Sequence, residues 1–169
     1  AGLEAAERCV AEGMRVNMTL CFSQKQASAV HCATRGAQKG AIFVSPFVGR
    51  LDDIGENGMD LIKNSVRMYR EQHGHVEVLS ASIRGIDHFL CSLAYGADII
   101  TAPGNILLEW ADAGMPVPEA DYVYDAKNLR GIPYAELSLE DDWRTIDITH
   151  PLTDKGIEKF AGDWNALIL

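Results

Sequence analysis

Two kinds of hydrophobic pattern alternate along the first two thirds of the chain. Short apolar runs, typical of buried strands, are separated by stretches in which apolar residues recur every three or four positions, as on one face of a helix. The predicted strands are residues 16–22, 41–45, 76–82 and 97–101, and the predicted helices are residues 1–12, 23–38, 59–72, 86–95 and 106–113. This alternation predicts an α/β protein with a parallel sheet.

The pattern changes after Pro116 and Pro118. The next thirty residues are acidic and weakly periodic, which predicts an irregular excursion with short helical turns. A final amphipathic helix over residues 152–168 has an apolar side made of Ile157, Phe160, Trp164 and Leu167. A helix of this kind docks on its own domain or on a neighbouring subunit. The chain is thus divided into three parts: the α/β unit (1–118), the irregular excursion (119–149) and the docking helix (150–169).

Composition narrows the class of protein. The chain has 169 residues, 47% of them hydrophobic, and a formal net charge of −9, which suits one globular domain with a sizeable core. An acidic chain does not favour non-specific binding to nucleic acid, and no apolar run approaches the roughly 18 residues that span a membrane. We therefore expect neither a nucleic-acid nor a membrane partner and, without a secretory signal, a cytoplasmic location.

The cysteines and histidines do not form a pattern typical of a disulfide framework or a metal site. The four cysteines lie in apolar periodic segments without CxxC spacing, at Cys9, Cys21, Cys32 and Cys91. Free buried thiols are the expected state. His73 and His75 follow a predicted helix without a carboxylate or cysteine cluster, so we predict a solvated helix end and no metal.

Hydroxyl and basic residues follow two of the predicted strands at the point where each strand ends. Ser45 ends the second strand and Arg50 follows it, and Ser82 ends the third strand and Arg84 follows it. Carboxyl ends of neighbouring parallel strands meet at one edge of a sheet, where α/β proteins place ligands. Two guanidinium groups with two hydroxyls suit a phosphate monoester, which arginine binds through paired hydrogen bonds.

Polar residues also interrupt the strands themselves. Asn17 and Thr19 share one face of the first strand. Because both faces of a parallel sheet are usually covered, buried Asn and Thr side chains need partners, and a ligand is one such partner. In the third strand, strict alternation would place Ser80, Ser82 and Arg84 on one face. These side chains together predict a site for a polar, phosphorylated ligand.

Four short segments match motifs of a known family. They are residues 17–23 (NMTLCFS), 45–50 (SPFVGR), 81–84 (ASIR) and 150–160 (HPLTDKGIEKF). Together they resemble transaldolases, in particular the group of small transaldolases and fructose-6-phosphate aldolases. The resemblance runs from residue 1 to about residue 113 and resumes at residue 150.

The resemblance implies a TIM (β/α)8 barrel, of which this chain would carry the last four βα units and a C-terminal helical tail. It implies transfer of a dihydroxyacetone unit between sugar phosphates through a Schiff base on lysine, without a metal or other cofactor. Arg50, Ser82 and Arg84 would then bind the substrate phosphate.

The same resemblance assigns roles near the reacting atoms. Asn17 would contact the dihydroxyacetone hydroxyls, and Thr19 would help to hold a catalytic water. Ser45 and Phe47 would line the substrate site. Phe47 stands where the aldolase subgroup carries Tyr, which favours transfer over aldol cleavage.

The chain departs from the family in one respect that bears on activity. Its first strand matches the family's fifth, so the four preceding strands, with the Schiff-base lysine and the acidic Asp and Glu, have no counterpart here. None of the lysines lies in an apolar strand: Lys25, Lys39, Lys63, Lys127, Lys155 and Lys159. We expect these residues alone to be inactive, and to be completed by the missing N-terminal half of the barrel or by a second copy. A homo-oligomer is also expected.

Three functions stay open from the sequence. The first is transaldolase activity, with this chain supplying phosphate and hydroxyl contacts. The second is aldol cleavage of fructose 6-phosphate on the same scaffold. The third is a non-catalytic half-barrel that binds phosphosugars, which the missing lysine favours.

Overall fold

The computed structural model describes residues 1–119 and 121–168. Residues 120 and 169, which fall within the second and third predicted parts, lie outside the described residues. The helices are α1 Gly2–Ala11, α2 Gln24–Ala33, α3 Val48–Asp52, α4 Gly58–Glu71, α5 Ile86–Ala94, α6 Gly104–Asp112 and α7 Pro151–Ile168. The strands are β1 Val16–Cys21, β2 Ile42–Pro46, β3 Glu77–Ser80 and β4 Ile99–Ile100, and a single 3-10 turn covers Trp143–Thr145.

The four strands form one parallel sheet in the order β1, β2, β3, β4. The parallel α/β arrangement predicted from the hydrophobic pattern is confirmed. Its helix-facing side is the core, where Ile42, Val44 and Val78 are at most 1% exposed. Within the described residues, β1 and β4 each pair on one side only.

The opposite face of the sheet is uncovered. Asn17 and Thr19 on β1 are exposed, as are Ile99 and Thr101 at β4. Helices therefore cover one face of the sheet and leave the other accessible, as in an arc cut from a (β/α)8 barrel.

Two local predictions were wrong. The segment after β2, for which the hydrophobic pattern predicted no helix or strand before residue 59, begins with helix α3. Val48 and Leu51, three residues apart, lie on the same side of this helix and are fully buried. Helix α2 ends at Ala33 instead of near residue 38. Thr34 hydrogen-bonds back to the Val30 carbonyl at 2.7 Å, and Gly36 adopts a φ of 91° that a helix does not continue through.

Residues 121–149, here called the acidic segment, lie along helices α2 and α4. The side-chain amide of Gln24 both donates to and accepts from the Ala135 backbone, at 2.8 and 2.9 Å. Gln72 binds the Leu137 carbonyl and the Leu139 N–H in the same way. Side chains of Gln24 and Gln72 thus supply hydrogen-bond partners to backbone groups of the acidic segment, which forms no strand or long helix. Because the segment is held in this way, it needs no regular apolar face, and its sequence shows only weak periodicity.

Helix α7 begins on the end of β1 and then extends away from the sheet. Thr153 donates to the Leu20 carbonyl at 3.0 Å, and Gly156 is buried against Leu20. The apolar side beyond Gly156 is exposed: Ile157 56%, Phe160 41%, Trp164 63% and Leu167 80%. Over the described residues, no helix combines the length and apolarity needed to cross a bilayer.

Candidate functional site

The carboxyl ends of β1, β2 and β3 are joined by backbone hydrogen bonds that seat α3 above them. Phe47 N–H donates to the Cys21 carbonyl at 3.1 Å, and Val48 N–H donates to the Ala81 carbonyl at 3.0 Å. Gly49 N–H donates to the Ser82 carbonyl at 3.1 Å. The SPFVGR segment thereby brings residues from three strand ends to one place.

Asn17 and Ser45 are in contact on the uncovered face of the sheet. The Ser45 hydroxyl donates to Asn17 Oδ1 at 2.8 Å, and Ser45 is only 2% exposed. Thr19 is exposed two residues further along the same strand. Asn17 keeps its amide N–H groups available for another acceptor, so this pair is suited to bind a hydroxyl group.

Arg50 lies between two aromatic rings at this edge of the sheet. Its guanidinium carbon is 5.0 Å from the centre of the Phe47 ring and 5.5 Å from that of Phe160 on α7. The Phe47 ring also meets Phe22 edge to face at 6.0 Å. Stacking fixes the plane of a guanidinium while leaving its N–H donors free for an anion.

Arg84 reaches the other side of α3. Its side chain runs along Gly49, where any β-carbon would collide with it, and its Nη2 donates to Asp53 at 2.7 Å. Both partners of this ion pair are more than half exposed. Arg50 is thus part of α3, and Arg84 packs against the same short helix from outside it.

The predicted alternation in the third strand was wrong beyond Ser80. The Ser80 hydroxyl is 2.8 Å from that of Ser92 on α5, so it faces the helices. Ser82 adopts a φ of 62°, which ends the strand geometry and turns the chain toward α3. Ser82 and Arg84 therefore reach the site through a left-handed turn, and Ser80 does not join them.

A similar irregularity occurs at the end of β1. Leu20 has a φ of 56°, and the register with β2 shifts between Met18 and Cys21. Asn17 and Thr19 keep one face, as predicted, but they are exposed and not buried. The turn at Leu20 directs its side chain to Gly156 of α7.

A buried polar cluster beside Arg84 was not recognised from the sequence. This His88 cluster consists of Asp52, His88 and Tyr124, with His88 Nε2 at 2.8 Å from both Asp52 Oδ2 and the Tyr124 hydroxyl. His88 Nδ1 accepts from the Arg84 N–H at 3.3 Å. The one sequence signal was the spacing, since His88 follows Arg84 by four residues and lies in the first turn of α5.

Hydrogen bonds set the ionisation of the carboxylate in this cluster. Burial alone would raise the pKa of Asp52, but donors from His88, the Gly58 N–H and Tyr124 outweigh it and hold the pKa below its ordinary value of 3.8. Asp52 is therefore ionised at neutral pH. A cavity of about 610 Å³ adjoins the cluster and Arg84, walled by residues 124–129.

Most of the other histidines and cysteines considered from the sequence are partly or fully buried, whereas His73 is exposed. His75, predicted to be solvated, is half-buried, with its ring 4.3 Å from that of His31 and its Nε2 2.9 Å from the Thr34 hydroxyl. The four cysteines are free thiols, as predicted. Burial raises the pKa of Cys21 to about 12 and that of Cys91 to about 11, so neither is suited to act as a nucleophile.

In the part of the chain that the structure describes, no three His, Cys, Asp or Glu residues are grouped as metal ligands would be.

A parallel sheet with helices on one face is the architecture of part of a (β/α)8 barrel, a class of proteins whose ligand sites lie at the carboxyl edge of the strands. The family profile of transaldolase/fructose-6-phosphate aldolase matches residues 1–169. The chain belongs to this family, as its motifs indicated. The family fold is a TIM barrel, and the four parallel strands described here form part of one.

Curated relatives agree with this assignment. A "Probable transaldolase" of Myxococcus xanthus (strain DK1622) is 37% identical over 164 residues, which cover 96% of this chain and 54% of that protein. One of Brucella ovis is 37% identical over 163 residues, covering 96% and 55%. One of Roseiflexus sp. (strain RS-1) is 36% identical over 165 residues, covering 98% and 56%. The chain spans about half the length of these relatives.

Proposed function

We propose that this chain supplies the phosphate- and hydroxyl-binding half of a transaldolase, which transfers a dihydroxyacetone unit between sugar phosphates. The observation that carries the proposal is the seating of α3, which brings Arg50 and Arg84 to the carboxyl edge of the sheet, where Ser45 lies with its hydroxyl bonded to Asn17. The names of the relatives give the same reaction class.

The phosphate of the substrate binds between Arg50 of α3 and Arg84, which packs against α3 from the turn after β3. Arg50 is held by stacking and keeps its N–H donors free, and Arg84 is held by Asp53 at an exposed position that an incoming anion can reach. The Ser82 hydroxyl adds a neutral donor beside them. The chain has a net charge of −9, so the positive charges of Arg50 and Arg84 form a local basic site on an otherwise acidic protein.

The dihydroxyacetone end of the substrate binds at Asn17. Its Oδ1 is engaged by Ser45, so its amide N–H groups face the ligand. Thr19, exposed on the same face, holds the water that carries protons during the reaction. Phe47 lacks the hydroxyl group that Tyr provides at this position in the aldolase subgroup. No side chain at this position can therefore activate a second water molecule for aldol cleavage.

The Schiff base itself forms on a lysine outside these residues. None of the six lysines lies in a strand. The amine and the proton-transferring carboxylates come from the N-terminal half of a barrel, because a second copy of these residues would bring only the same six lysines.

Reductive trapping tests the proposal. The product of the whole reading frame that contains these residues is incubated with fructose 6-phosphate and borohydride, and its intact mass is measured. A reduced dihydroxyacetone adduct is expected there, and no adduct is expected on the 169 residues alone. No adduct on the whole product would overturn the proposal and leave a half-barrel that binds phosphosugars without turning them over.

Cleavage of fructose 6-phosphate is the second candidate, since it uses the same scaffold and the same imine. Phe47 favours transfer because an aldolase must protonate the enamine with water. Release of dihydroxyacetone with no acceptor aldehyde present would identify an aldolase, whereas turnover that requires an acceptor identifies a transaldolase.

A further inference from the structure

The His88 cluster has no part in the function proposed above, although it touches the backbone of Arg84. Its members come from three elements: Asp52 from α3, His88 from α5 and Tyr124 from the acidic segment. The His88 side chain is 7% exposed and that of Asp52 is 18% exposed. A buried polar network of this kind fixes the geometry of the groups it joins.

The hydrogen bonds of the cluster define one protonation pattern. Because His88 Nδ1 accepts from the Arg84 N–H, the proton of the neutral ring is on Nε2. Nε2 then donates to Asp52, and the Tyr124 hydroxyl donates to the same Asp52 oxygen at 3.3 Å. Every donor in the network therefore faces an acceptor.

Arg84 is held at both ends, and its backbone partner belongs to the cluster. Its backbone is held by His88, and its guanidinium is paired with Asp53, the residue next to Asp52. The turn that leads into Arg84 contains the left-handed Ser82, a conformation that needs support from its surroundings. The cluster supplies that support on the side of α5.

The acidic segment holds Tyr124 in place from a distance. Arg130 N–H donates to the Gly55 carbonyl and Asn57 N–H donates to the Arg130 carbonyl, both at 2.8 Å. These bonds fix the segment to the turn between α3 and α4, six residues beyond Tyr124. The segment thereby forms one wall of the cavity beside Arg84.

We propose that Asp52, His88 and Tyr124 are positioning residues for Arg84, and that the acidic segment sets phosphate affinity through Tyr124. The proposal rests on the function proposed above. It assigns these residues no contact with the substrate, because they act only through Arg84.

Two substitutions of His88 separate this role from simple packing. In His88→Asn the amide oxygen lies near the position of Nδ1 and can still accept from the Arg84 N–H, but the side chain no longer reaches Asp52. In His88→Gln the amide reaches the position of Nε2 and can still bind Asp52, but the acceptor for Arg84 is lost. A role in packing alone would make the shorter Asn the more damaging of the two, which is the opposite order.

The probe is inorganic phosphate, titrated by calorimetry into the product of the whole reading frame. We expect the Kd for phosphate to rise about tenfold in His88→Gln and about twofold in His88→Asn, and about threefold in Tyr124→Phe, the losses typical of single hydrogen bonds. Tyr134→Phe is the matched control, since Tyr134 packs on Arg67 of α4, away from the site. It should leave the Kd unchanged.

Hydrogen exchange of the Arg84 amide is the second readout. Faster exchange is expected in His88→Gln than in His88→Asn, in parallel with the Kd. Equal Kd values for the two His88 variants, or an Arg84 amide whose exchange rate is the same in both, would overturn the positioning role.

If neither His88 variant folds, the Tyr124→Phe variant is the deciding test, and an unchanged Kd for phosphate in that variant rejects the proposal. Failure of the borohydride experiment rejects the Schiff-base function separately, because phosphate binding does not need the lysine.

Discussion

At the scale of single residues, Arg50 and Arg84 differ in the side chains that hold them. Arg50 is held by aromatic rings, which do not compete with an anion. Arg84 is held by Asp53, whose carboxylate an incoming phosphate must displace or share. The two side chains therefore contribute differently to the same proposed site.

Replacing Arg84 with Ala should weaken binding of fructose 6-phosphate by about tenfold to a hundredfold, the loss typical of a charge-assisted hydrogen bond. Arg84→Lys should recover only part of it, because an ammonium group cannot bind phosphate through two parallel donors. Calorimetric titration measures the effect. Arg8→Ala, which removes an exposed arginine of α1 paired with Glu4, should bind as the wild type does. Unchanged affinity in Arg84→Ala would remove Arg84 from the site.

The pair of His31 and His75 makes stability depend on pH. Burial and then the neighbouring His31 lower the pKa of His75 from 6.5 to about 4. Below pH 6.5 His75 is protonated in the unfolded chain but stays neutral in the folded chain. The free energy of unfolding therefore decreases as the pH falls from 6.5 to about 4. Because His75 is only half-buried, we expect a loss of about 1–2 kcal/mol after allowing for solvent screening.

Urea unfolding at pH 7.5 and pH 5 measures this loss. His75→Gln keeps a polar partner for Thr34 but does not titrate, so its stability should change less between the two pH values. The same change in both proteins would show that His75 is not the group responsible.

At the scale of elements, the docking of α7 depends on one close approach. A β-carbon at Gly156 would lie 2.6 Å from Leu20 Cδ2 and 3.3 Å from Arg50 Nη1. The left-handed turn at Leu20 and the glycine of α7 are therefore matched to each other, and α7 brings Phe160 to Arg50.

Gly156→Ala should lower the free energy of unfolding by about 1–3 kcal/mol, because the added methyl group overpacks this contact. Gly162→Ala lies on the same helix with open space around it and should raise the free energy by about 0.5–1 kcal/mol through helix propensity. Chemical denaturation measures both. Similar effects of the two substitutions would contradict the docking contact as the cause.

At the scale of the whole molecule, the sheet has an uncovered face and α7 has an exposed apolar side. Trp164 and Leu167 are 63% and 80% exposed. Apolar area of this kind usually marks an interface. We expect the predicted homo-oligomer to form through this side of α7.

Sedimentation of the 169-residue chain should therefore give a species larger than its 18.5 kDa monomer. Trp164→Glu should shift the equilibrium toward the monomer if α7 forms the interface, since it places a charge in an apolar contact. Asn165→Glu, which adds the same charge at a polar position, is the control. A monomer in all three proteins would contradict the prediction.

Much of this protein was determined by local sequence alone. The alternation of apolar runs and helical periods requires parallel strands with helices between them, because each element must bury its apolar face. The positions of Ser45 and Arg50 after β2 placed them at the carboxyl edge for the same reason. The short motifs were sufficient to identify the family.

Only the tertiary structure decided how the site is arranged. Periodicity predicts which residues share a face while the strand continues, and it cannot anticipate the left-handed Leu20 and Ser82, which local propensity disfavours and packing alone supports. The contact of Tyr124 with His88 spans 36 residues and leaves no periodic signal, because one hydrogen bond between distant segments imposes no spacing on the chain. The sequence therefore determined the elements and the residue types at their ends, whereas packing between distant segments determined their geometry.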